Sequence, residues 1–400
     1  MLKVKTPDEV IKTIKQLLPS MNSYSEYART IDAHGRVLFE DIVSVEDIPG
    51  FDRSTVDGFA VFASDTFGCS ESIPAVLTVI GEVLMGESAE QQLSPGTCVI
   101  VSTGSDIPSG ADAVIMLEHT EDYGSGMIGI QKPAAPGNNV IFKGDDVSAG
   151  DTALSAGLVL TPHDVGILSA LGYTDVKVMA KPVAGIISTG DELVTASSVP
   201  ERGQIRDVNT PMLIAAVKRF GAEAKDFGII KDDEEALREA VLSAAGTCDI
   251  ILLSGGSSAG ARDLTARVIE AEGELLLHGI AMKPGKPTIL GLINDKPIFG
   301  LPGHPVAAYM VTELFVRPLI AMQTGAKIKQ YTTKATLSEA ISSNHGREEY
   351  IAVRLVDSFA HPVRGKSGLI ASLAGADGYI CVPRDCEGLT KGAEVVVTYF

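Results

Sequence analysis

Apolar and polar positions from residue 182 to residue 324 alternate between strand-length and helix-length segments. Ile250 to Leu253 is apolar without alternation, which is typical of a strand buried on both faces of a parallel sheet. Strands are predicted at 183–188, 224–230, 250–253, 288–292 and 297–301. Helices are predicted at 210–220, 232–245, 264–271 and 305–322. Strands separated by helix-length segments predict a doubly wound, mostly parallel α/β sheet.

The segments on either side of this region have different patterns. Thr6-Pro7-Asp8-Glu9 carries the cap, the early proline and the acidic residue that begin a helix, and a second helix is predicted at 24–33. Short β-type runs follow at 75–80, 98–101, 113–117 and 127–130, and again at 350–356, 379–382 and 394–399. The predicted fold class is therefore α/β plus β, with a β-rich domain inserted near the N-terminus and a small β-domain at the C-terminus.

Composition narrows the possible partners. The chain of 400 residues has 51 acidic and 33 basic residues, a net charge of −18, which argues against general binding to nucleic acid or to an anionic membrane. The five cysteines form no CxxC pair, and the sequence shows neither a signal-peptide pattern nor an apolar run expected to span a bilayer. A soluble, cytoplasmic protein is the expectation.

Two stretches suggest an anion site. The loop 254–260, SGGSSAG, follows the buried strand, and free N–H groups at such a turn attract an anion. Lys283 and Lys286 lie close together in the turn-forming sequence KPGKP. Phosphate or another oxyanion would suit both stretches. Taken singly, a glycine-rich turn more often only relieves backbone strain, and a lysine pair is usually a solvated surface.

Three predicted strands end in polar loops, which read TGDEL, SGGSSAG and LPGHP. Because ligands bind beyond the carboxyl ends of parallel strands, these loops are expected to converge at one sheet edge. Carboxylates in this region could hold Mg²⁺ with a phosphate, and they are Asp191, Glu192, Asp232 and Asp263. The alternative for Asp232 and Asp263 is simple helix capping.

Two loops of the β-rich region also carry polar groups. Asp57-Gly58 is interpreted either as part of a site or as a tight turn into the next strand. Thr103 lies in a hydroxyl-bearing turn, and the acidic turn Gly144-Asp145-Asp146 is either a cation site or a solvated surface.

Nine segments in order resemble one family. They read FDRSTVDGFAV, STGSDIPSGADAVIM, KGDDVSAG, STGDEL, GQIRDVN, GIIKDD, LSGGSSAGARD, MKPGKP and GLPGHPVAA. The chain resembles the MoeA family of molybdopterin molybdenumtransferases, which is related to the E domains of gephyrin and of its plant counterpart.

The resemblance implies an elongated chain of four parts. These are a linker domain (20–48 and 148–180), a β-rich domain (49–147), a molybdopterin-binding α/β domain (1–19 and 181–326) and a C-terminal β-domain (327–400). It also implies a homodimer in which the α/β domain of one subunit faces the β-rich domain of the other. The active site would lie in that cleft.

The implied reaction is insertion of molybdate into adenylylated molybdopterin, with release of AMP and a requirement for Mg²⁺. The adenylylated substrate would come from a molybdopterin adenylyltransferase. Catalytic roles are implied for Asp57, Thr103, Glu192, Asp232, Asp263, Lys283 and Lys286. Substrate or oxyanion binding is implied for Gly255, Gly256, Ser258, His278, Pro302, Arg347 and Ser367. Metal binding is implied for Asp191, Glu192, Asp232 and Asp263.

The sequence departs from the family pattern at several positions. Ile141 and Phe142 stand where bacterial members often have arginines, and His278 stands where some members have lysine. His304 and Ala307 replace the Asn and Ser of the commoner PGNPVS. Two alternatives to the transferase stay open, namely nucleotidyl transfer or pyrophosphate hydrolysis on a pterin or nucleotide, and a non-catalytic scaffold.

Overall fold

The computed structural model describes residues 4–18, 24–255, 259–327, 329–363, 365 and 367–400, with the side chains of 259–263 excepted. Gly256 and Ser258 lie outside the described residues, and the Asp263 side chain lies outside the described side chains.

A six-stranded mixed sheet forms the centre of the α/β unit. Its strands lie in the order Glu223–Ile230, Val183–Thr189, Ile250–Gly255, Lys296–Pro302, Ile289–Ile293 and Glu274–His278. The first four are parallel, as predicted, and the last two are antiparallel to their neighbours.

The antiparallel direction follows from a tight turn. Asn294 and Asp295 connect two of the strands, and their φ values of 50° and 60° give the left-handed pair that a two-residue hairpin requires. The strand Glu274–His278, which was not predicted, adds at the edge beside them. The sheet is therefore less uniformly parallel than expected.

Helices cover both faces of this sheet, so the doubly wound prediction is correct. The helical segments of the unit are Pro7–Leu17, Asn209–Arg219, Glu234–Thr247, Ala259–Glu272, Pro305–Val311, a π-helical turn at Thr312–Val316, and Arg317–Thr324. On one face Ile186 and Leu252 pack with Leu213, and on the other Ile187 packs with Leu237. Successive strand residues thus face opposite layers.

The first turns of three helices show which of the predicted capping residues are caps in the structure. The box at Thr6 and Glu9 is present, as predicted. Asp232 is not the cap of the following helix, because the Asp233 side chain accepts the N–H of Ala236 instead. The helix predicted from residue 264 begins at Ala259, so Asp263 lies inside it and not at its N-cap.

The β-rich unit contains a second six-stranded sheet. Its order is Ala113–Met116, Gly58–Val61, Thr97–Val101, Ala75–Val83, Met127–Ile130 and Thr120–Gly124. Separate apolar clusters lie on its two faces. A Cβ atom on Gly58 would lie 1.9 Å from the carbonyl oxygen of Ile115, so the strand pairing requires glycine there.

The linker region contains the clearest error of prediction. Ser25–Arg29 is a strand paired antiparallel with Asp175–Met179, and the helix predicted at 24–33 is wrong. A one-turn 3₁₀ segment, Thr30–Asp32, follows the strand. Helix Pro162–Ala170 and the paired strands Ile42–Val43 and Thr152–Leu154 complete this region.

The C-terminal unit is a sheet closed on itself. Its order is Met282–Lys283, Glu348–Val356, Phe359–Pro362, Thr332–Leu337, Glu394–Tyr399 and Gly378–Val382, with a further pairing between the second and last of these. The first strand comes from the α/β part of the chain. The shorter pairs elsewhere are Arg53–Ser54 with Val140–Ile141, Leu193–Val194 with Ile205–Arg206, and Ile341–Ser342 with Gly388–Leu389. The 3₁₀ segments elsewhere are Ala63–Thr66, Leu117–His119 and Ile370–Leu373.

The stretch Pro305–Thr324 is long and apolar enough to cross a membrane by length and composition, contrary to expectation. It is a core helix, because 67% of its most apolar segment is buried inside the fold. Phe315, Val316 and Leu319 lie in the main apolar cluster. The predicted domain boundaries stay a prediction.

Candidate active site

The carboxyl ends of the parallel strands lie at one edge of the α/β sheet. Thr189 is in register with Gly255, and Gly255 is in register with Pro302. Ile230 lies beside Thr189 on the outer strand. The three polar loops predicted to converge therefore leave the sheet side by side.

Gly255 is needed here for close approach between strands. A Cβ atom on it would lie 2.2 Å from the Cγ2 atom of Thr189. Gly256 and Ser258, which follow Gly255 in the sequence, lie outside the described residues.

Acidic side chains lie at the same edge. The Thr189 hydroxyl donates to Asp232 Oδ1 at 2.7 Å, and the Asp232 N–H donates to Asp191 Oδ1 at 3.3 Å. The Glu192 carbonyl accepts the N–H of Ile205 at 2.8 Å. Among the side chains that the structure describes, no three Asp, Glu, His or Cys groups come together as a metal site.

Asn209 is a residue of this edge to which the sequence reasoning gave no role. Its Nδ2 donates to Ser254 Oγ at 2.7 Å and to the Gly303 carbonyl at 2.9 Å, so it joins two of the loops. Asp207 fixes the start of that helix by accepting the N–H groups of Asn209 and Thr210. The signal was the segment GQIRDVN, where an Asp lies two residues before the helix that begins at Asn209.

A cavity of about 910 Å³ lies between the α/β unit and the C-terminal sheet. Five predicted site residues line it, and they are Lys283, Lys286, Pro302, Arg347 and Ser367. Because Pro302 is also in register with Gly255, the cavity adjoins the edge where the polar loops meet.

The lysine segment has a fixed backbone. Gly285 has φ +117°, and a Cβ atom there would lie 2.8 Å from Val311 Cγ2, so only glycine fits. The Thr288 hydroxyl donates to the Gly285 carbonyl at 2.7 Å, and the Ile280 N–H donates to the Lys286 carbonyl at 2.9 Å. These bonds hold both lysines at the cavity wall.

The cations of the cavity differ in their partners. Lys283 Nζ lies 2.6 Å from Glu349 Oε1, and the Ser343 hydroxyl donates to Glu349 Oε2 at 2.7 Å. Lys286 is exposed and Arg347 is half-buried, and neither has an ion pair or hydrogen bond from its side chain to another described residue. Two positive charges are thus left for a ligand within the described part of the cavity.

Two further side chains, those of His304 and Tyr350, also line the cavity. His304 Nδ1 lies 2.8 Å from Ser367 Oγ, and the Val306 N–H donates to the Ser367 carbonyl at 3.1 Å. Burial raises the pKa of Tyr350, and the neighbouring Glu348 carboxylate raises it further, so the phenol stays neutral.

Three predicted residues lie elsewhere. Asp57 Oδ1 accepts both the N–H and the hydroxyl of Thr103, at 2.7 and 3.1 Å, on the β-rich unit. His278 is the last residue of the edge strand, where it pairs with Ile289. None of the three lines the cavity of the single chain. Their roles stay predictions.

Comparisons with known proteins agree across the chain. Residues 5–172 match the MoeA N-terminal region (domain I and II), residues 185–322 match a probable molybdopterin binding domain, and residues 334–400 match the MoeA C-terminal region (domain IV). The chain belongs to the MoeA family. The predicted family resemblance is confirmed.

Relatives within the MoeA family match over most of their length. The molybdopterin molybdenumtransferase of Bacillus subtilis is 34% identical, with 99% of this chain and 95% of the relative covered. A putative molybdopterin biosynthesis protein of Methanocaldococcus jannaschii is 35% identical over 92% of this chain and 90% of its own. The crystal structure of the Pyrococcus horikoshii MoeA protein is similar with a TM-score of 0.86, 37% identity and full coverage of both chains.

Proposed function

We propose that this protein inserts molybdate into adenylylated molybdopterin, as a molybdopterin molybdenumtransferase of molybdenum cofactor biosynthesis. Two molybdenum–sulfur bonds form to the dithiolene, and one oxide ligand leaves as water with the two thiol protons. Water cleaves the phosphoanhydride bond, and AMP leaves. The oxidation state of molybdenum does not change in these steps.

The observation that carries this proposal is the charge of the cavity. Lys286 and Arg347 line it without partners among the described residues, and the Ser367 hydroxyl lies with them. Two cations and a hydroxyl donor match a tetrahedral dianion such as molybdate. The adjoining strand end at Gly255 and the start of helix Ala259–Glu272 suit the phosphate end of a pterin substrate.

Mg²⁺ fits the acidic end of this edge. Mg²⁺ takes one or two protein carboxylates and completes its shell with water and substrate phosphates. Asp191 and Asp232, joined through the Asp232 N–H, supply oxygen donors of that type. When bound, Mg²⁺ would neutralise phosphate charge. We assign Glu192 and Asp263 to the same end of the site.

The site is proposed to be shared within a homodimer. The hydrogen-bonded pair of Asp57 and Thr103 joins two exposed loops of the β-rich unit, apart from the cavity of its own chain. A second subunit could present this pair to the cavity, where the carboxylate and hydroxyl would help to orient the substrate. A cytoplasmic location, supply by a molybdopterin adenylyltransferase and the four domain ranges given above belong to the same proposal.

Reconstitution from purified components tests this function. Protein, adenylylated molybdopterin, molybdate and Mg²⁺ are mixed, and both molybdenum cofactor and AMP are measured. Cofactor should form only when molybdate is present, with one AMP released per cofactor. Release of AMP without molybdenum in the pterin product would favour pyrophosphate hydrolysis, and no turnover would favour a scaffold.

A further inference from the structure

We propose that Glu349 sets the oxyanion affinity of the cavity by holding Lys283 in an internal ion pair. This inference rests on the proposed function and deepens it. Both carboxylate oxygens of Glu349 are engaged, one by Lys283 at 2.6 Å and the other by the Ser343 hydroxyl at 2.7 Å. The carboxylate therefore takes the place beside Lys283 that a ligand anion would take.

Backbone pairing fixes this contact. The strand Met282–Lys283 runs parallel to the start of Glu348–Val356, with Lys283 opposite Glu349. The Glu348 N–H donates to the Ala281 carbonyl at 3.0 Å and continues the pairing. The Glu349 side chain is only 11% exposed, against 47% for Lys283. Glu349 is thus built into the wall, and the more exposed lysine is the partner able to move.

The pair changes which cations a ligand meets. Lys283, Lys286 and Arg347 all line the cavity, but Glu349 already balances Lys283. An entering dianion is bound first by Lys286 and Arg347. It reaches Lys283 only by displacing a carboxylate whose other oxygen is hydrogen-bonded.

Such a carboxylate has a use in a transfer reaction. Very tight binding of the oxyanion in the ground state does not accelerate its transfer from the protein to the substrate. Binding that is equally strong in the ground state and the transition state leaves the rate of the step unchanged. Glu349 lowers the ground-state affinity, and it keeps Lys283 positioned for the moment when more negative charge enters. Glu349 is a positioning residue on this view, since it acts through Lys283.

Direct binding of molybdate tests the inference. Equilibrium dialysis is carried out on the full-length protein, on Glu349→Gln and on Lys283→Met. Glutamine keeps the shape and accepts the Ser343 bond but removes the charge. The Kd for molybdate should fall about tenfold in Glu349→Gln, because one charge-assisted contact is released to the ligand, and should rise in Lys283→Met. If the ion pair only supports the fold, the two substitutions are not expected to change the Kd for molybdate in opposite directions.

A double-mutant cycle shows whether the effect acts through the lysine. The gain from Glu349→Gln should shrink to less than about threefold in the Lys283→Met background, because no ammonium is then available to contact molybdate. Glu349→Asp, whose shorter side chain lengthens the contact but keeps the charge, should show a smaller gain than Glu349→Gln. If Glu349→Gln does not fold, Glu349→Asp provides the test, and it is expected to bind molybdate more tightly than wild type.

Three results would overturn the inference. They are equal or weaker binding by a folded Glu349→Gln, an undiminished gain without Lys283, and no molybdate binding by any variant. Formation of cofactor in the reconstitution assay is judged separately. A wild-type protein that makes cofactor while these binding results fail would keep its proposed function and lose only the role of Glu349.

Discussion

His304 Nδ1 lies 2.8 Å from Ser367 Oγ, so a side chain at the start of a core helix contacts a loop of the C-terminal sheet. The contact holds Ser367 at the cavity wall, where its backbone carbonyl also accepts the Val306 N–H. The family pattern commonly has asparagine at the position of His304, and an asparagine amide could also bond a hydroxyl.

Removal of this contact should slow cofactor formation. His304→Ala is expected to reduce the rate about tenfold, because a hydrogen bond that positions a donor for a charged ligand is lost. His304→Asn should retain more of the rate, since it can bond Ser367 again. Rates of cofactor formation for both variants provide the measurement. Equal rates in His304→Ala and wild type would show that His304 does not contribute to the site.

Lys286 is expected to contribute directly to oxyanion binding. Lys286→Ala should reduce cofactor formation at least about tenfold, because a charged contact to an anion disappears. Lys334→Ala is the matched control, since Lys334 is exposed on the C-terminal sheet and pairs only with Glu394 among the described residues. Wild-type kinetics in Lys286→Ala, with the control also unchanged, would exclude Lys286.

A mixing experiment examines the shared site. Asp57→Ala and Lys286→Ala subunits, each inactive alone, should regain partial activity when co-assembled, because one of the two sites then contains both intact residues. Differently tagged subunits allow the mixed dimers to be purified before the assay. Absence of recovery in verified mixed dimers would contradict a site built from two chains.

Glycine at position 58 should be essential for stability. Gly58→Ala places a Cβ atom 1.9 Å from the Ile115 carbonyl oxygen and should lower the free energy of unfolding by about 1–3 kcal/mol. Gly246→Ala is the control, because Gly246 is an exposed helical residue and no described atom beyond its chain neighbours and its own helix backbone lies within 4 Å of the added Cβ. That variant should be as stable as wild type or more stable by about 0.5 kcal/mol. Urea denaturation compares the two, and equal effects would refute the steric explanation.

Cys98 should make stability depend on alkaline pH. Burial raises the pKa of its thiol to about 12, so the folded protein disfavours the thiolate. The stability that the thiol contributes is complete below the unfolded-state pKa of about 8.5 and is lost as pH rises from there towards 12. Between pH 8 and pH 10, the urea midpoint should fall more in wild type than in Cys98→Ala. Parallel falls would contradict this assignment.

The convergence of the loops could be predicted because it follows from one rule. Apolar runs identify parallel strands, and parallel strands direct their carboxyl ends to the same edge. Thr189, Gly255 and Pro302 accordingly lie in register. The glycine and lysine motifs were local in the sequence and needed no knowledge of distant contacts.

Contacts between distant segments could not be predicted in the same way. Ser25–Arg29 has a mostly exposed side-chain pattern and becomes a strand only through its pairing with Asp175–Met179, so its local pattern wrongly predicts a helix. Glu349 likewise becomes a site residue only because its strand lies beside Lys283. Asp233, and not Asp232, caps the helix Glu234–Thr247. The sequence does not distinguish these adjacent aspartates, because the backbone geometry of the first turn decides which of them is the cap.

The strand Met282–Lys283 belongs by chain order to one unit and by hydrogen bonding to another. Proteolysis of the connection near residue 330 would consequently leave the two pieces held together by this pairing. Chimeric proteins made by exchanging C-terminal units between relatives would need a compatible acidic residue opposite the lysine. Residues 283 and 349 would therefore have to be exchanged together in such a chimera, although they lie far apart along the chain.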